Sequence, residues 1–337
     1  VTYIRKLEFG NYTLKFGDNK VLLDLFDEVV MPSFFEMKYI RHLKDKGDYF
    51  FLDTKLIKLV DDVNLPVLGI SGRIVKNTKL KREQIFRSGG IIEDRSELET
   101  APSSTFLLIL NNHRLIFCKE VPGAPTIQNF QSTSQYCLNA RHKEFIEEQY
   151  KNYNSNKLAL NRVTKVSLIK ENPYPRLRIT PLSDKESLRN FISRFKHINK
   201  VSIKLLPTNN EEIDNDDFWA YLGRTREEMN SNSAKVEFSN AKDGLDTDMV
   251  YSQASSASNF GNSEVNLKGY DEQGDTISGS NEDFNLSVEL EELPRNPDMA
   301  AAIKYNQFTY LAQEGVISLP EVAQAALDKI KAIFERL

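Results

Sequence analysis

The chain has 337 residues, 40% hydrophobic and 27% charged, and a formal net charge of −4. That length predicts two domains plus an appendage, and no stretch approaches the ~20 consecutive apolar residues of a membrane span. The charge is divided: up to Leu206 there are 34 Lys+Arg against 23 Asp+Glu, a balance of +11, and from Pro207 onward 10 against 25, a balance of −15.

In chain order, residues 3–9 and 12–16 read as paired strands turning at Gly10-Asn11. Val21, Leu22, Leu25, Phe26, Val29 and Val30 recur at helical spacing, with Asp18 or Asn19 as cap and Pro32 ending or kinking the helix. Strand-like segments follow at 38–43, 49–60, 66–75 and 79–86, and Gly69 and Gly72 in the third predict a bulge or a close backbone approach. Arg87-Ser88-Gly89-Gly90 reads as a flexible loop before a short strand at Ile91-Ile92. The centre is TFLLILNNHRLIFCKEV (105–121). Its unbroken apolar run from Phe106 to Leu110 suits a strand buried on both faces. Asn111-Asn112-His113-Arg114 suits a hairpin turn, because Asn tolerates a left-handed backbone. Beyond the breaking run 122–125, a helix over 126–150 offers Phe130, Cys137, Leu138, Phe145 and Ile146 as its buried face. The polar run 151–157 marks a domain boundary.

In the second half, 163–169 and 176–180 read as strands about the turn 172–175. Ser183-Asp184-Lys185-Glu186 opens a helix bearing Leu188, Phe191, Ile192 and Phe195. Then come a strand at 201–206, a helix at 216–229, a strand at 234–238, a helix at 246–258, and strands at 265–270 and 284–290. Helices over 299–312 and 320–337 end the chain. In the last, Val322, Ala326, Ile330, Ile333 and Leu337 form a narrow apolar seam that docks either on its own domain or on another subunit. The fold class is therefore α+β, built on two mixed-sheet domains. They are a basic strand-rich domain at 1–155 and an alternating α/β domain at 156–293, with a ferredoxin-like arrangement as one candidate for the second. A C-terminal helical appendage follows at 294–337.

The four histidines have no second His or Cys at metal-ligand spacing, so no metal site and no cofactor is expected. No P-loop and no Gly-x-Ser-x-Gly elbow is present, and no catalytic residue is nominated. The acidic run 211–217 precedes a helix, where carboxylates cap and offset the dipole. Cys118 and Cys137 read as buried free thiols of a reducing cytoplasm. The remaining constellation is basic. Arg73, Lys76, Lys79, Lys81, Arg82 and Arg87 crowd two adjacent strands, and Lys38 and Arg41, with His42, Lys44 and Lys46, make a second group. Arg162, Lys165, Lys170, Arg176 and Arg178 make a third. Such groups neutralise phosphates without reading bases, with Tyr39, Tyr49 and Phe86 as stacking partners; the alternative is an ordinary solvated face.

The order of elements from HRLIFCKEV (113–121), through the long helix, to ENPYPRLRITPL (171–182), AKVEFSNAKDGL (234–245) and EVNLKGYDEQGD (264–275) resembles an uncharacterised family of bacterial proteins from mobile-element and phage-defence neighbourhoods. The resemblance covers residues 105–290, carries no catalytic motif, and implies a bacterial host-defence setting. The expected function is a non-catalytic nucleic-acid-binding or sensing component of an anti-phage system, cytoplasmic and away from membranes. DNA and RNA stay open, and a protein partner or second copy is expected through the C-terminal helices. One alternative is a metal-independent ribonuclease with His42 or His113 as acid/base. Another is a structural subunit docking an effector through the last helix.

Overall fold

The computed structural model describes residues 3–155, 163–206, 212–213, 217–231, 233–258 and 261–337; Arg162 and the side chains of the acidic run 211–217 lie outside that description. The first strand, β1 (Arg5–Phe16), continues straight through Gly10-Asn11, so the predicted turn is absent. Gly10 permits a close approach instead: a Cβ there would stand 2.9 Å from Ile179 Cγ2. After β2 (Lys20–Val21) the chain coils through a 3₁₀ turn over Leu22–Leu25, a π turn over Phe26–Val30 and the short α1 (Met31–Ser33). The cap is Asp24, accepting from Val21 N at 2.7 Å, and Pro32 lies inside the last turn.

The strands β3 (Arg41–Leu43), β4 (Gly47–Val60), β5 (Val67–Arg87) and β6 (Gly90–Thr100) are successive antiparallel neighbours. Asp53 and Thr54 bulge from β4 opposite Gly72, whose missing Cβ would lie 2.7 Å from Thr54 Oγ1. The expected close approach at Gly72 is therefore present. The expected loop at 87–90 is a tight turn: Ser88 and Gly89 have φ of 53° and 80°, the pair of positive values a type I′ hairpin requires.

The central hairpin pairs β7 (Ser103–Ile109) with β8 (Arg114–Lys119), and the side chains from Phe106 to Ile109 and from Leu115 to Cys118 are at most 1% exposed. Burial on both faces is thus observed. The left-handed turn residue is His113 (φ 53°), not an asparagine. Asn111 holds the start of β5 instead, accepting from Leu68 N at 3.1 Å and donating to Pro66 O at 2.8 Å.

The long helix α2 (Ile127–Ser155) buries the five side chains expected of it. The strand read at 163–169 is a helix, α3 (Lys165–Glu171), because Thr164 caps it by accepting from Ser167 N at 3.1 Å. The chain continues through β9 (Pro175–Pro181), α4 (Lys185–Ile192), β10 (His197–Leu205), β11 (Glu212–Ile213), α5 (Asp217–Glu228), β12 (Ala234–Ser239) and α6 (Thr247–Ser258). It ends with β13 (Ser263–Tyr270), β14 (Thr276–Ser280), β15 (Ser287–Leu290), α7 (Pro297–Gln313), β16 (Glu321–Val322) and α8 (Gln324–Phe334).

The large sheet runs β15-β1-β8-β7-β5-β4-β3, with β2 and β9 also on β1 and β6 on β5, and the smaller one runs β12-β10-β13-β14. The fold is α+β. Each ladder of these two sheets is antiparallel, which corrects the expectation of mixed sheets. The domain boundaries also move. Both β9 and β15 pair with β1, so the unit from α4 to β14 is inserted into the first body. On one face of the large sheet α2 packs Phe130 against Phe34, Phe51, Phe106 and Phe117. On the other, α7 packs Ala301, Phe308 and Leu311 against Leu7, Phe9, Leu107 and Ile109. The C-terminal helices are therefore structural layers of the first body. In α8, Ala326, Ile330 and Ile333 are buried in the α2-side core with Val322 packed at its margin, and Leu337 is exposed. Lys329 and Arg336 tie this helix to Asp24 (2.8 Å) and Asp27 (2.7 Å).

Leaving aside the two-residue β11, which pairs with β16, the inserted unit has the order αβαβαββ rather than the βαββαβ of a ferredoxin-like fold. Its core joins Leu188, Phe191 and Ile192 of α4 and Val250, Ala254 and Ala257 of α6 to Val201, Ile203, Val265 and Leu267. Helices thus cover one face of the small sheet and leave the alternate side chains on the other.

Candidate nucleic-acid interface

The ladders bring several sequence-nominated cations onto neighbouring strands and supply most of them with carboxylates. Arg73 on β5 is a clamp. It pairs with Asp53, its Nε lies 3.3 Å from Glu120 Oε2, and its Nη2 donates to Arg295 O at 2.8 Å, fastening the sheet to the segment before α7. Lys79 and Lys81 lie 3.0 and 3.9 Å from the Glu97 carboxylate, and Arg82 lies 2.5 Å from Asp94. Lys38 pairs with Glu144 at 3.3 Å, and that carboxylate also accepts from Tyr39 Oη at 2.7 Å. Arg41 and Lys76 flank Tyr49 in adjacent registers of β3, β4 and β5, with Lys44 and Lys46 in the β3–β4 connection. Arg87 stands at the tip of the β5–β6 ribbon, opposite Gly90. The nominated set is therefore dispersed over the sheet edge, the ribbon and a half-buried clamp.

A second cationic surface was not singled out from sequence. On the open face of the small sheet, register places Lys200 beside Lys268, Ser202 beside Asn266, and Lys204 beside Lys235 and Glu264. Glu237 bridges Lys200 and Lys235 at 2.5 and 2.7 Å, and Glu264 lies 4.0 Å from Lys204 while pairing with Arg178 of β9. Tyr270 ends this row of β13, 42% exposed. A groove of about 540 Å³ runs here between Lys200, Ser202, Asn266, Lys268, Ser278 and Asp283. It shares Asn266 and Ser280 with a polar cleft of about 450 Å³ between the two units, reached by Gln128, Gln131 and Arg178. The usable signal was the alternation of Lys200, Ser202 and Lys204 with Val201, Ile203 and Leu205, which is a strand with one wet face.

The helix α2 closes the far wall of that cleft. Gln131 and Gln135 accept from Ile179 N and Leu177 N of β9, each at 2.7 Å, satisfying an edge that would otherwise recruit another strand.

The nucleophile and acid/base candidates divide by burial. His113 is buried, and desolvation, helped by Arg114 and Lys329, pushes its imidazole down to about 3. Burial pushes the Cys118 and Cys137 thiols up to about 11 and about 12. It also lowers the Lys304 ammonium of α7, beside Cys118 and Glu120, to about 8. His42 differs: it is exposed, and its Nδ1 lies 2.8 Å from Asp48 Oδ1 across the β3–β4 ladder. Among the described residues no group of three His, Cys, Asp or Glu side chains is placed to hold a metal ion.

A family model described as a domain of unknown function (DUF4747) matches residues 24–305. The chain belongs to that family. The DUF4747 match starts before the 3₁₀ turn ends and reaches into α7, so it takes in the inserted unit, the cleft and the strands of the large sheet other than β1 and β2. It is an uncharacterised domain family, as the resemblance implied, over a longer span than 105–290. No curated protein matches the chain. No described helix of this DUF4747 protein is long and apolar enough to cross a membrane.

Proposed function

We propose that this DUF4747 protein is a non-catalytic nucleic-acid-binding component that lays a single strand across the open face of its small sheet. The observation that carries the reading is the row of Lys200, Lys204, Lys235 and Lys268, set among the carboxylates of Glu237, Glu264 and Asp283, with Tyr270 exposed at its end. Lysines on a flat antiparallel face contact phosphates, and an exposed aromatic stacks on an unpaired base. Ser202, Asn266 and Ser278 add hydroxyl and amide groups along the same groove. A cytoplasmic, anti-phage role working with partner subunits belongs to the same proposal and rests on the resemblance alone; buried free thiols at Cys118 and Cys137 are compatible with a reducing compartment.

The test is binding to labelled single- and double-stranded DNA and RNA across a salt series. Single strands are expected to bind better, and Lys200→Glu with Lys268→Glu to reduce the salt slope by roughly 1 to 2. Equal binding by that variant, or none by the native protein at low salt, would overturn the reading. A second reading, a metal-independent ribonuclease, is favoured by one contact, the exposed His42–Asp48 pair. There a carboxylate orients an exposed imidazole at the edge of the large sheet. Cleavage that disappears in His42→Ala while binding persists would establish it.

A further inference from the structure

The cleft between the two units lies along one edge of β9, whose other edge pairs with β1. On the cleft side Leu177 N and Ile179 N donate to Gln135 and Gln131 of α2. In an antiparallel strand a residue's carbonyl points to the same edge as its N–H, so the Leu177 and Ile179 carbonyls face the cleft side too. The opposite wall belongs to the inserted unit and carries Glu264, Asn266 and Glu282. Among the described residues the Glu282 carboxylate accepts one hydrogen bond, from Gln128 Nε2 to Oε1 at 2.9 Å, which leaves Oε2 open to a ligand.

These groups describe the ligand. Two carboxylates and the outward carbonyls stand against one guanidinium, Arg178, itself paired with Glu264. Such a lining repels a phosphate and accepts N–H donors. Ile127, Leu177 and Pro181 add apolar surface, and the volume of about 450 Å³ is that of a small-ligand site. Asn266 and Ser280 line both this cleft and the lysine groove. A strand lying on the lysines can therefore turn one base into the cleft and keep its phosphates on the row. Guanine alone among the bases carries two adjacent N–H donors, N1–H and N2–H, which a carboxylate accepts side by side. Its O6 and N7 accept from a guanidinium.

We propose that the cleft is a pocket for one unpaired guanine of the bound strand. Glu282 accepts from N1–H and N2–H, and a further N–H of Arg178 donates to O6 or N7. Lys200 and Lys268 hold the flanking phosphates. The inference rests on the strand-binding reading and gives that surface a base preference, which the lysines alone do not supply.

Fluorescence anisotropy of the full chain tests this, with labelled oligothymidylate and the same oligomer carrying one central guanine, adenine or cytosine. The guanine oligomer is expected to bind roughly tenfold tighter than oligothymidylate, the discrimination a bidentate base contact supplies. In Glu282→Gln that ratio is expected to fall to about one. Equal affinity for all the oligomers, tightest binding to another base, or a ratio that survives in the variant would overturn the pocket and leave the strand-binding reading standing. Binding of none of them removes both. Displacement of the guanine oligomer by equally dilute guanosine monophosphate would make this a site for a free nucleotide and defeat the strand assignment. Should the variant misfold, 6-thioguanine at the central position is photocross-linked to the native protein. Cross-links on residues 127–131 or 177–181 support the pocket, and cross-links confined to β13 and β14 defeat it.

Discussion

His113 holds the left-handed position of the β7–β8 turn with 1% of its surface exposed, and burial pushes its imidazole from 6.5 to about 3. The unfolded chain takes up a proton near pH 6.5 that the folded chain refuses until about pH 3. Stability is therefore full above 6.5 and declines as the pH falls through that window. At about pH 5 the loss is about 2 kcal/mol for this group. His113→Asn keeps a residue suited to positive φ and removes the titration. Urea midpoints at neutral pH and at about pH 5 are expected to separate less in the variant than in the native protein. An identical separation would show that His113 does not contribute to acid sensitivity. The residue was one of two acid/base candidates in sequence, where nothing distinguished it from His42. Burial distinguishes them: one imidazole lies inside the first body, and the other is exposed beside Asp48.

The β5–β6 ribbon shows the limit of reading elements from pattern. The first strand was visible through Leu80, Ile85 and Phe86. The second was visible only at Ile91-Ile92; beyond them Glu93, Asp94, Glu97 and Glu99 give no apolar alternation, and the strand continues there by pairing with β5. The turn between them is a local matter. Gly89 has a φ of 80° and open space around it, so Gly89→Val strains only the backbone, at a cost on the order of 1 kcal/mol. Hydrogen exchange should accelerate at ribbon amides near Phe86 and Ile91 and stay unchanged in β7 and β8. Faster exchange throughout the sheet would mean that the ribbon is coupled to the core. The same reasoning explains α3: a short apolar run at 163–169 fits strand or helix, and Thr164 with Ser167 decides for helix by capping.

For the molecule as a whole, the informative element is α8. Removing residues 319–337 takes Ala326, Ile330, Ile333 and Phe334 out of the first core, where they are buried, and bares the side chains they cover. At about 1.5–3 kcal/mol for each large side chain, the loss is roughly 5 kcal/mol or more, comparable with the ~5–15 kcal/mol that holds a typical domain folded. The truncated chain is expected to lose its cooperative thermal transition or to melt far lower. A truncated protein that melts like the full chain would make α8 a detachable docking element instead. The insertion of the small sheet between β9 and β15 carries a related lesson: the boundary read at 151–157 was a change in composition. Pairing of β9 and β15 with β1 places segments far apart in the chain in one sheet.

The sequence by itself determined what is local: the two-faced burial of Phe106–Leu110, the inward face of α2, the helices of the inserted unit and the class α+β. Periodicity and apolar runs report these directly, because the side chains concerned meet the same environment in any fold that buries them. Only the tertiary structure decided what depends on a distant partner. Carboxylates neutralise Lys79, Lys81 and Arg82 of β5 because β6 folds back beside them. Lys200, Lys204, Lys235 and Lys268 share a surface because three strands from separate segments lie side by side. The last helix closes the core of the first body because the chain returns to it. Register and long-range pairing set those outcomes, and neither is written in the spacing of any one segment.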